Sequence, residues 1–433
     1  MAEKIERLGK HKASTTTEKI SKKSKIAPAE WKTCSFKSCV TQQIHPQTDC
    51  YVEIKATLPT KDSSRSTLIA WGSTGDASFH KTCWDDLLKS SRARNPKNIA
   101  IKLSNRDKSL VKEASKTVEH HDSVDIVRME GARIAQLIRS SHHCIVFSGA
   151  GISTSAGIGD YRGKEGKWTE EDREAVSGST AVTEEEGVPY ENLRPTYTHE
   201  ALVKLLEMGM IKHIISQNGD GLHGLSGIPV EHLSELHGNV FIEICESCGH
   251  RYNRSFYVMD DTASQYFEDL NEQGSSEIPR PKHAVKCTLC GLTHRTGRKC
   301  SQKGCKGFLK DSIINFSDDL EEAILTQAEK NADKADLCLS FGTTMQVYPA
   351  CNLVRRGRKP LRLVIINRQK TGFDDLCLKK VAGEVLGSRV FGDCDQLLAE
   401  VMKNLLTAED LQTWEGARQE RMTGYDRQRS SPH

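Results

Sequence analysis

The chain has 433 residues, of which 37% are hydrophobic and 27% charged, a composition typical of a soluble globular protein with two or three folded units. No apolar run is long enough to cross a membrane, and the first residues lack a secretory-signal core, so we expect a protein that acts inside the cell. The net charge of +3 is too small to predict a general attraction to nucleic acid.

The first part of the chain is polar and rich in lysine, and we predict a disordered basic tail over residues 1–30. A solvated tail is the simplest interpretation, and nuclear import or DNA contact is the alternative. Residues 91–122 are again polar and charged, which favours a linker with a short helix.

Between these segments, residues 31–90 predict a small zinc module. Inside a reducing cell the 15 cysteines are expected to be metal ligands or core thiols, and close pairs of ligands suit a tetrahedral zinc site. The FHKTCW ending resembles treble-clef and PARP-type zinc fingers. His45 and Cys50 compete as ligands, and a core of free cysteines is the alternative. The predicted ligands are Cys34, Cys39, His80 and Cys83.

The rest of the chain alternates between helical and strand-like segments. A helix is predicted over 124–141, and apolar strands follow at 144–148, 211–216, 336–341 and 362–367. This alternation predicts an α/β fold, a parallel sheet covered by helices.

Each predicted strand ends in glycine or small polar residues, at the edge where parallel sheets bind ligands. A single Gly-x-Gly pair is weak evidence for a nucleotide site. The six-residue dinucleotide fingerprint G-x-G-x-x-G does not match here, because Thr154 stands where its third glycine belongs. The coincidence of four strand ends nevertheless predicts a dinucleotide site. The residues at these ends are Gly149, Ala150, Gly151, Gln217, Asn218, Gly342, Thr343, Thr344 and Asn367.

Six motifs occur in one order: GAGIS, GIGDYRG, SQNGDGLH, ELHGN, FGTTMQVYPA and VIIN. Together they resemble the sirtuins, the NAD-dependent protein deacylases, over roughly residues 125–406. The stretches HRTGRKC and LKDSIINF are most similar to class IV sirtuins, a largely nuclear group that acts on chromatin. The resemblance implies a Rossmann-like catalytic domain over 123–408, with a zinc lobe inserted within about 241–312.

The resemblance also implies the chemistry and the residues that perform it. An acyl group would pass from a protein lysine, giving nicotinamide, O-acyl-ADP-ribose and free lysine. His237 would be the base, Asn218 would orient the nicotinamide ribose, and Asp220 would bind the carboxamide. Asn367 would reach the adenosine ribose, while Thr343 and Thr344 would meet the phosphates. The remaining cofactor residues implied are Gly149, Ala150, Gly151, Ser153, Asp160, Tyr161, Arg162, Gln217, Gly342 and Cys394.

Three cysteine pairs compete for the four-ligand zinc site of the lobe. From the residues alone the choice is nearly even. The sirtuin pattern implies Cys245, Cys248, Cys300 and Cys305, with Cys287 and Cys290 as the alternative second pair.

Two glycines depart from the sirtuin pattern. Gly159 stands where that pattern has a proline and Gly219 where it has a branched aliphatic residue, and the resemblance implies that both belong to the nicotinamide pocket. We expect weaker NAD positioning and weaker nicotinamide inhibition. A weakened NAD or acyl-lysine binding module and a mono-ADP-ribosyltransferase are the alternative functions.

The expected partners are acyl-lysine proteins, foremost histone tails. The N-terminal module could contact DNA or chromatin, with a protein partner as the equal alternative, and no membrane contact is expected. The predicted location is nuclear, with the cytoplasm as the alternative. Residues 409–433 predict a polar tail with one short helix.

Overall fold

The computed structural model describes residues 30–57, 66–93, 101–159, 188–259 and 285–430. The predicted basic tail lies outside them, except for Glu30. No helix within these ranges is long and apolar enough to cross a membrane.

The elements of the described residues follow in chain order. The strands are β1 (Lys32–Thr33), β2 (Gln43–Ile44), β3 (Tyr51–Lys55), β4 (Asp76–His80), β5 (Glu119–His121), β6 (Cys144–Ser148), β7 (His213–Ser216), β8 (Leu233–Glu235), β9 (Ile242–Cys245), β10 (Arg251–Asn253), β11 (Arg295–Lys299), β12 (Phe308–Asp311), β13 (Leu337–Phe341), β14 (Arg362–Ile366), β15 (Lys380–Val381), β16 (Glu384–Val385) and β17 (Ser388–Val390). The helices are α1 (Lys81–Arg92), α2 (Asn105–Ala114), α3 (Val124–Arg139), α4 (Tyr197–Glu207), α5 (Leu222–Ser226), α6 (Glu322–Lys334), α7 (Asp374–Cys377), α8 (Cys394–Leu405), α9 (Ala408–Gly416) and α10 (Arg418–Ser430).

A six-stranded parallel sheet forms the centre of the larger unit, in the order β17-β14-β13-β6-β7-β8. Its strands are buried on both faces. In β6, Cys144 and Val146 face one apolar core with α3, α4 and α8, while Ile145 and Phe147 face another with α6. Such continuous apolar strands are what a sheet covered by helices requires. The predicted Rossmann-like α/β fold is confirmed.

A smaller antiparallel sheet, β10-β9-β12-β11, is inserted between β8 and α6. Its strands run from Ile242 to Asp311, the region in which the sequence predicts a zinc lobe. Glu243 is fully buried there and pairs with Arg254 and Arg298, so its charge is neutralised inside the lobe.

The N-terminal residues form a module with its own apolar core, which includes Ile54, Phe79, Trp84 and Leu87. Its main sheet has the order β4-β3-β5. The predicted linker over 91–122 differs from the structure, because α2 packs Val111 into this core and β5 pairs with β3. The few apolar residues of this segment gave little sequence signal, yet they are the ones that are buried.

The C-terminal residues also differ from the predicted polar tail with one short helix. Both α9 and α10 are formed, and Tyr425 of α10 is buried against Leu193 and Leu222. Arg418 and Arg421 pair with the buried Glu200 of α4. These contacts are tertiary, and the weak apolar pattern of the helices could not predict them.

Candidate active site

The carboxyl ends of the central strands meet in one glycine-lined cleft. The loop after β6 is bonded to the loop after β13, because the Gly149 amide donates to the Phe341 carbonyl at 3.0 Å and the Gly151 amide to the Gly342 carbonyl at 2.8 Å. Gly342 in turn donates to the Ile366 carbonyl of β14 at 2.9 Å. These three amides are paired within the protein, and the lack of side chains between the loops lets a ligand approach their backbone closely.

One end of this cleft lies at the start of α8. Its lining includes four of the residues predicted to bind the cofactor, Gly151, Gly342, Asn367 and Cys394. Thr343 is nearly buried, and its hydroxyl accepts from the Gln217 side chain at 2.9 Å. The structure thus brings together predicted residues from four strand ends, those of β6, β7, β13 and β14. Ala150 and Thr344 lie partly exposed in the same two loops.

A buried polar network continues the cleft toward β7. The Ser153 hydroxyl donates to Asp220 Oδ2 at 2.6 Å, and the Leu222 amide donates to Asp220 Oδ1 at 3.0 Å. The Asn218 side chain donates to the Gly149 carbonyl at 3.2 Å. Asn218 and Asp220 are 8% and 5% exposed, so polar groups in a nearly dry site are held in fixed directions.

His237 follows β8 and closes the other end of the network. Its Nδ1 lies 2.9 Å from the Gln217 carbonyl, which can only accept, so the proton resides on Nδ1 and Nε2 keeps its lone pair. Burial lowers the pKa of His237, and the hydrogen bond to Gln217 opposes that effect. A neutral imidazole with a free Nε2 is suited to accept a proton near pH 7.

The segment after β12 lies against this histidine, and sequence reasoning did not single out its residues. The Ile314 amide donates to the His237 carbonyl at 3.1 Å, and Ile313 approaches the position of a side chain added at Gly219. Ile313 and Ile314 belong to the stretch LKDSIINF, which was noted only for its similarity to class IV sirtuins. Their position beside His237 could not be predicted, because the residues that line a pocket do not form a linear motif. Asp160, Tyr161 and Arg162 lie outside the described residues.

The inserted lobe holds four thiols at the spacing of a metal site. Cys245 Sγ lies 3.6 Å from Cys305 Sγ, and Cys248 Sγ lies 3.7 Å from Cys300 Sγ. A tetrahedral zinc ion with Zn–S bonds of about 2.3 Å separates its sulfurs by about 3.8 Å, so the four thiols fit the ion. The alternative pair, Cys287 and Cys290, belongs to a different group of side chains.

The N-terminal module brings its four predicted ligands together as well. Cys34, Cys39, His80 and Cys83 present ligand atoms within 4.8 Å of one another. The competing residues lie elsewhere, since Cys50 contacts Asp122 and the His45 ring packs on Trp31. A three-thiolate, one-histidine shell is a usual structural zinc site.

A parallel sheet whose strand ends meet in a glycine-lined cleft defines a dinucleotide-binding class of protein. The Sir2 family pattern matches residues 149–349. The Drosophila melanogaster NAD-dependent protein deacetylase Sirt6 is 34% identical over 288 residues, which cover 66% of this chain and 78% of that protein. The chain therefore belongs to the Sir2, or sirtuin, family, as the motifs predicted.

Other relatives are similar over the same share of the chain. The Arabidopsis thaliana NAD-dependent protein deacetylase SRT1 is 39% identical over 66% of this chain and 51% of its own length. The human NAD-dependent protein deacetylase sirtuin-7 is 32% identical over 66% of this chain and 62% of its own. The chain thus spans about half the length of the plant relatives it matches. A solved Sir2 complex with a p53 peptide and NAD+ aligns at 26% identity and a TM-score of 0.40, over 63% of this chain and 96% of that one.

Proposed function

We propose that this protein removes acetyl or longer acyl groups from protein lysines in an NAD-dependent reaction, giving nicotinamide, O-acyl-ADP-ribose and free lysine. The observation that carries the proposal is His237, whose Nδ1 is fixed on the Gln217 carbonyl, so that its Nε2 keeps a lone pair that no other described residue occupies. Relatives named NAD-dependent protein deacetylases support it.

The residues divide the work by their chemistry. Bound NAD would supply the ribose carbon that accepts the acyl oxygen, with nicotinamide as the leaving group. Asp220 would accept the carboxamide N–H, Asn218 would orient the ribose, and His237 Nε2 would take a hydroxyl proton. The glycine loops would let the phosphates approach the backbone, and the Thr343 hydroxyl would donate to them. Asp160, Tyr161 and Arg162 would complete the site in this proposal, with Tyr161 and Arg162 covering the nicotinamide ring and the phosphate side.

Zinc has a structural role in the proposal. A closed shell of four cysteines leaves no coordination position for substrate or water. Removal of the metal is expected to unfold the lobe that carries β9 to β12 and, with it, to release the Ile314 contact to His237. Chelation followed by circular dichroism would show lost structure. Full structure with only the activity lost would assign the metal a catalytic role instead.

Histone tails are the proposed substrates and the nucleus the proposed location. The N-terminal module, with its zinc ligands and the lysine-rich segment before it, is the proposed chromatin contact. Phosphate contacts would make retention of the full chain on duplex DNA fall steeply between about 50 and 200 mM salt. Retention that does not change with salt concentration would contradict the DNA contact and favour a protein partner for the module.

Two other functions fit the same cleft. Gly159 and Gly219 stand where the sirtuin pattern has a proline and a branched aliphatic residue, which favours a weakened protein that only binds NAD or an acyl-lysine. Transfer of ADP-ribose to a protein side chain would use the same bound NAD.

The deciding experiment follows nicotinamide release and peptide mass in one tube, with and without an acylated histone-tail peptide. Release that needs the peptide and removes its acyl group establishes deacylation. Release with a gain of ADP-ribose on protein establishes transfer. NAD binding without release, in folded zinc-loaded protein, establishes the binding module.

A further inference from the structure

The pair Cys287 and Cys290 is left over when the four-cysteine site is assigned, yet its backbone has the form of a metal-binding turn. In the turn that begins at Cys245, the Cys245 amide donates to the His250 carbonyl, the Gly249 amide to the Cys245 carbonyl, and the Ser247 amide to the Cys245 sulfur.

The turn that begins at Cys287 repeats this pattern bond for bond. The Cys287 amide donates to the Leu292 carbonyl at 2.7 Å, the Gly291 amide to the Cys287 carbonyl at 3.0 Å, and the Leu289 amide to the Cys287 sulfur at 3.4 Å. Gly291 has a φ of 79°, close to the 71° of Gly249. Two Cys-x2-Cys-Gly turns with one geometry aim their sulfurs in the same way.

Two further ligands complete the group. His294 Nε2 lies 3.4 Å from Cys290 Sγ and 3.3 Å from Asp318 Oδ2, and Cys287 Sγ lies 3.4 Å from Asp318 Oδ1. All four ligand atoms lie within 4.8 Å of one another. The edges of a tetrahedron around zinc with mixed sulfur, nitrogen and oxygen ligands are about 3.5 Å.

The second nitrogen of His294 is held as a metal-bound histidine requires. Its Nδ1 lies 3.1 Å from Asp311 Oδ1, and Asp311 is buried at the end of β12. Metal-ligating histidines usually donate their other N–H to a carboxylate, which fixes the ring and directs the free lone pair to the ion. The carboxylate that orients His294 is therefore already in place.

We propose that Cys287, Cys290, His294 and Asp318 bind a zinc ion of their own, separate from the four-cysteine site and from the N-terminal site. The ligands come from the turn before β11 and from the loop after β12. The segment between Asp311 and Asp318 contains Ile314, whose amide donates to the His237 carbonyl. A zinc ion bound by Asp318 would therefore stabilise the segment that contacts the proposed base.

Zinc per chain, measured by mass spectrometry on full-length protein purified with reductant, tests the site. The double variant C287S/C290S is expected to hold one zinc fewer than the parent chain. C50S is the matched control, because Cys50 is half-buried and belongs to none of the groups of side chains that could hold a metal among the described residues, and its count is expected to equal that of the parent. An unchanged count in folded C287S/C290S overturns the proposal, as does a Cys287–Cys290 disulfide in the reductant-treated parent.

A milder variant covers the case in which C287S/C290S does not fold. Asp311→Asn keeps all four ligands but weakens the support of His294, and loss of such a partner usually lowers metal affinity about 10- to 100-fold. Titration with a chromogenic chelator is expected to release one zinc equivalent earlier from Asp311→Asn than from the parent, with the others unchanged. Identical release curves would contradict the site.

Discussion

The two sides of the cleft use glycine in opposite ways. On the proposed phosphate side a side chain added at Gly149 or Gly151 would lie 2.6 Å from Thr343 or Gly342, closer than packed atoms tolerate. On the proposed nicotinamide side, an added side chain at Gly159 meets nothing within 4 Å among the described residues, and one at Gly219 meets its nearest atom at 3.7 Å. The first pair is required by packing, whereas the second has room among the described residues and departs from the sirtuin pattern.

The largest expected difference between the sides is in stability. Gly151→Ala forces the loops after β6 and β13 apart and is expected to lower the free energy of unfolding by about 1–3 kcal/mol and to abolish NAD binding. Gly159→Ala is expected to change stability by less than about 0.5 kcal/mol, as at an open surface position. Urea denaturation measures both. An equal decrease in the free energy of unfolding in the two variants would contradict the difference between the two sides.

The buried carboxylate at the border of the two sides is expected to matter nearly as much, but for activity. Asp220→Asn turns one acceptor into a donor and is expected to lower kcat/KM for NAD about 10- to 100-fold, since hydrogen bonds to charged groups contribute about 1.5–3 kcal/mol. Asp395→Asn is the matched control, because Asp395 also accepts from a serine hydroxyl and a backbone amide, at 2.7 and 2.9 Å. Steady-state kinetics that show the same loss in both would make Asp220 merely structural.

The base on the nicotinamide side is expected to impose a pH dependence that the phosphate side lacks. Because burial lowers the pKa of His237, its neutral form persists below the usual histidine value of about 6.5. The deacylation rate should therefore be level near pH 7 and fall with an acidic midpoint below about 6.5. The same shift lowers stability in acid, since the unfolded chain binds the proton more readily. A pH–rate profile with a midpoint above about 7 would contradict this assignment.

The smallest expected effect comes from refilling the open side. In Gly219→Val the added Cβ would lie 3.9 Å from Ile313 and 4.0 Å from Val240, which are ordinary contact distances. Each buried carbon is worth about 0.8 kcal/mol, so inhibition by nicotinamide is expected to tighten about 3- to 10-fold. Gly224→Ala is the control, because a side chain added at Gly224 has no described neighbour within 4 Å. An unchanged inhibition constant in Gly219→Val would mean that the opened wall has no role.

The sequence predicted the site where the residues that form a strand and the residues that bind the ligand are neighbours in the chain. The ends of β6, β7, β13 and β14 were predictable because a buried parallel strand followed by glycine or a small polar residue is a local pattern. His237 needed the family motif, since one histidine among 16 carries no signal alone.

Tertiary contacts between distant segments were not predictable. Val111 of α2 packs into the N-terminal core, and Tyr425 of α10 packs beside α5, although both segments are mostly polar. Asp318 follows β12 in the chain, yet its carboxylate contacts Cys287, which precedes β11. Pairings of this kind depend on how strands align, which residue spacing does not encode.

The most direct test of the proposed chemistry compares two histidines at the two ends of β8. His232 Nδ1 lies 2.9 Å from the Lys212 carbonyl, as His237 Nδ1 lies 2.9 Å from the Gln217 carbonyl, but only His237 is at the cleft. Peptide-dependent nicotinamide release should fall about 10²- to 10⁴-fold in His237→Ala and stay near the parent rate in His232→Ala, with NAD still bound by both. Equal rates in the two variants would contradict the assignment of His237 as the base.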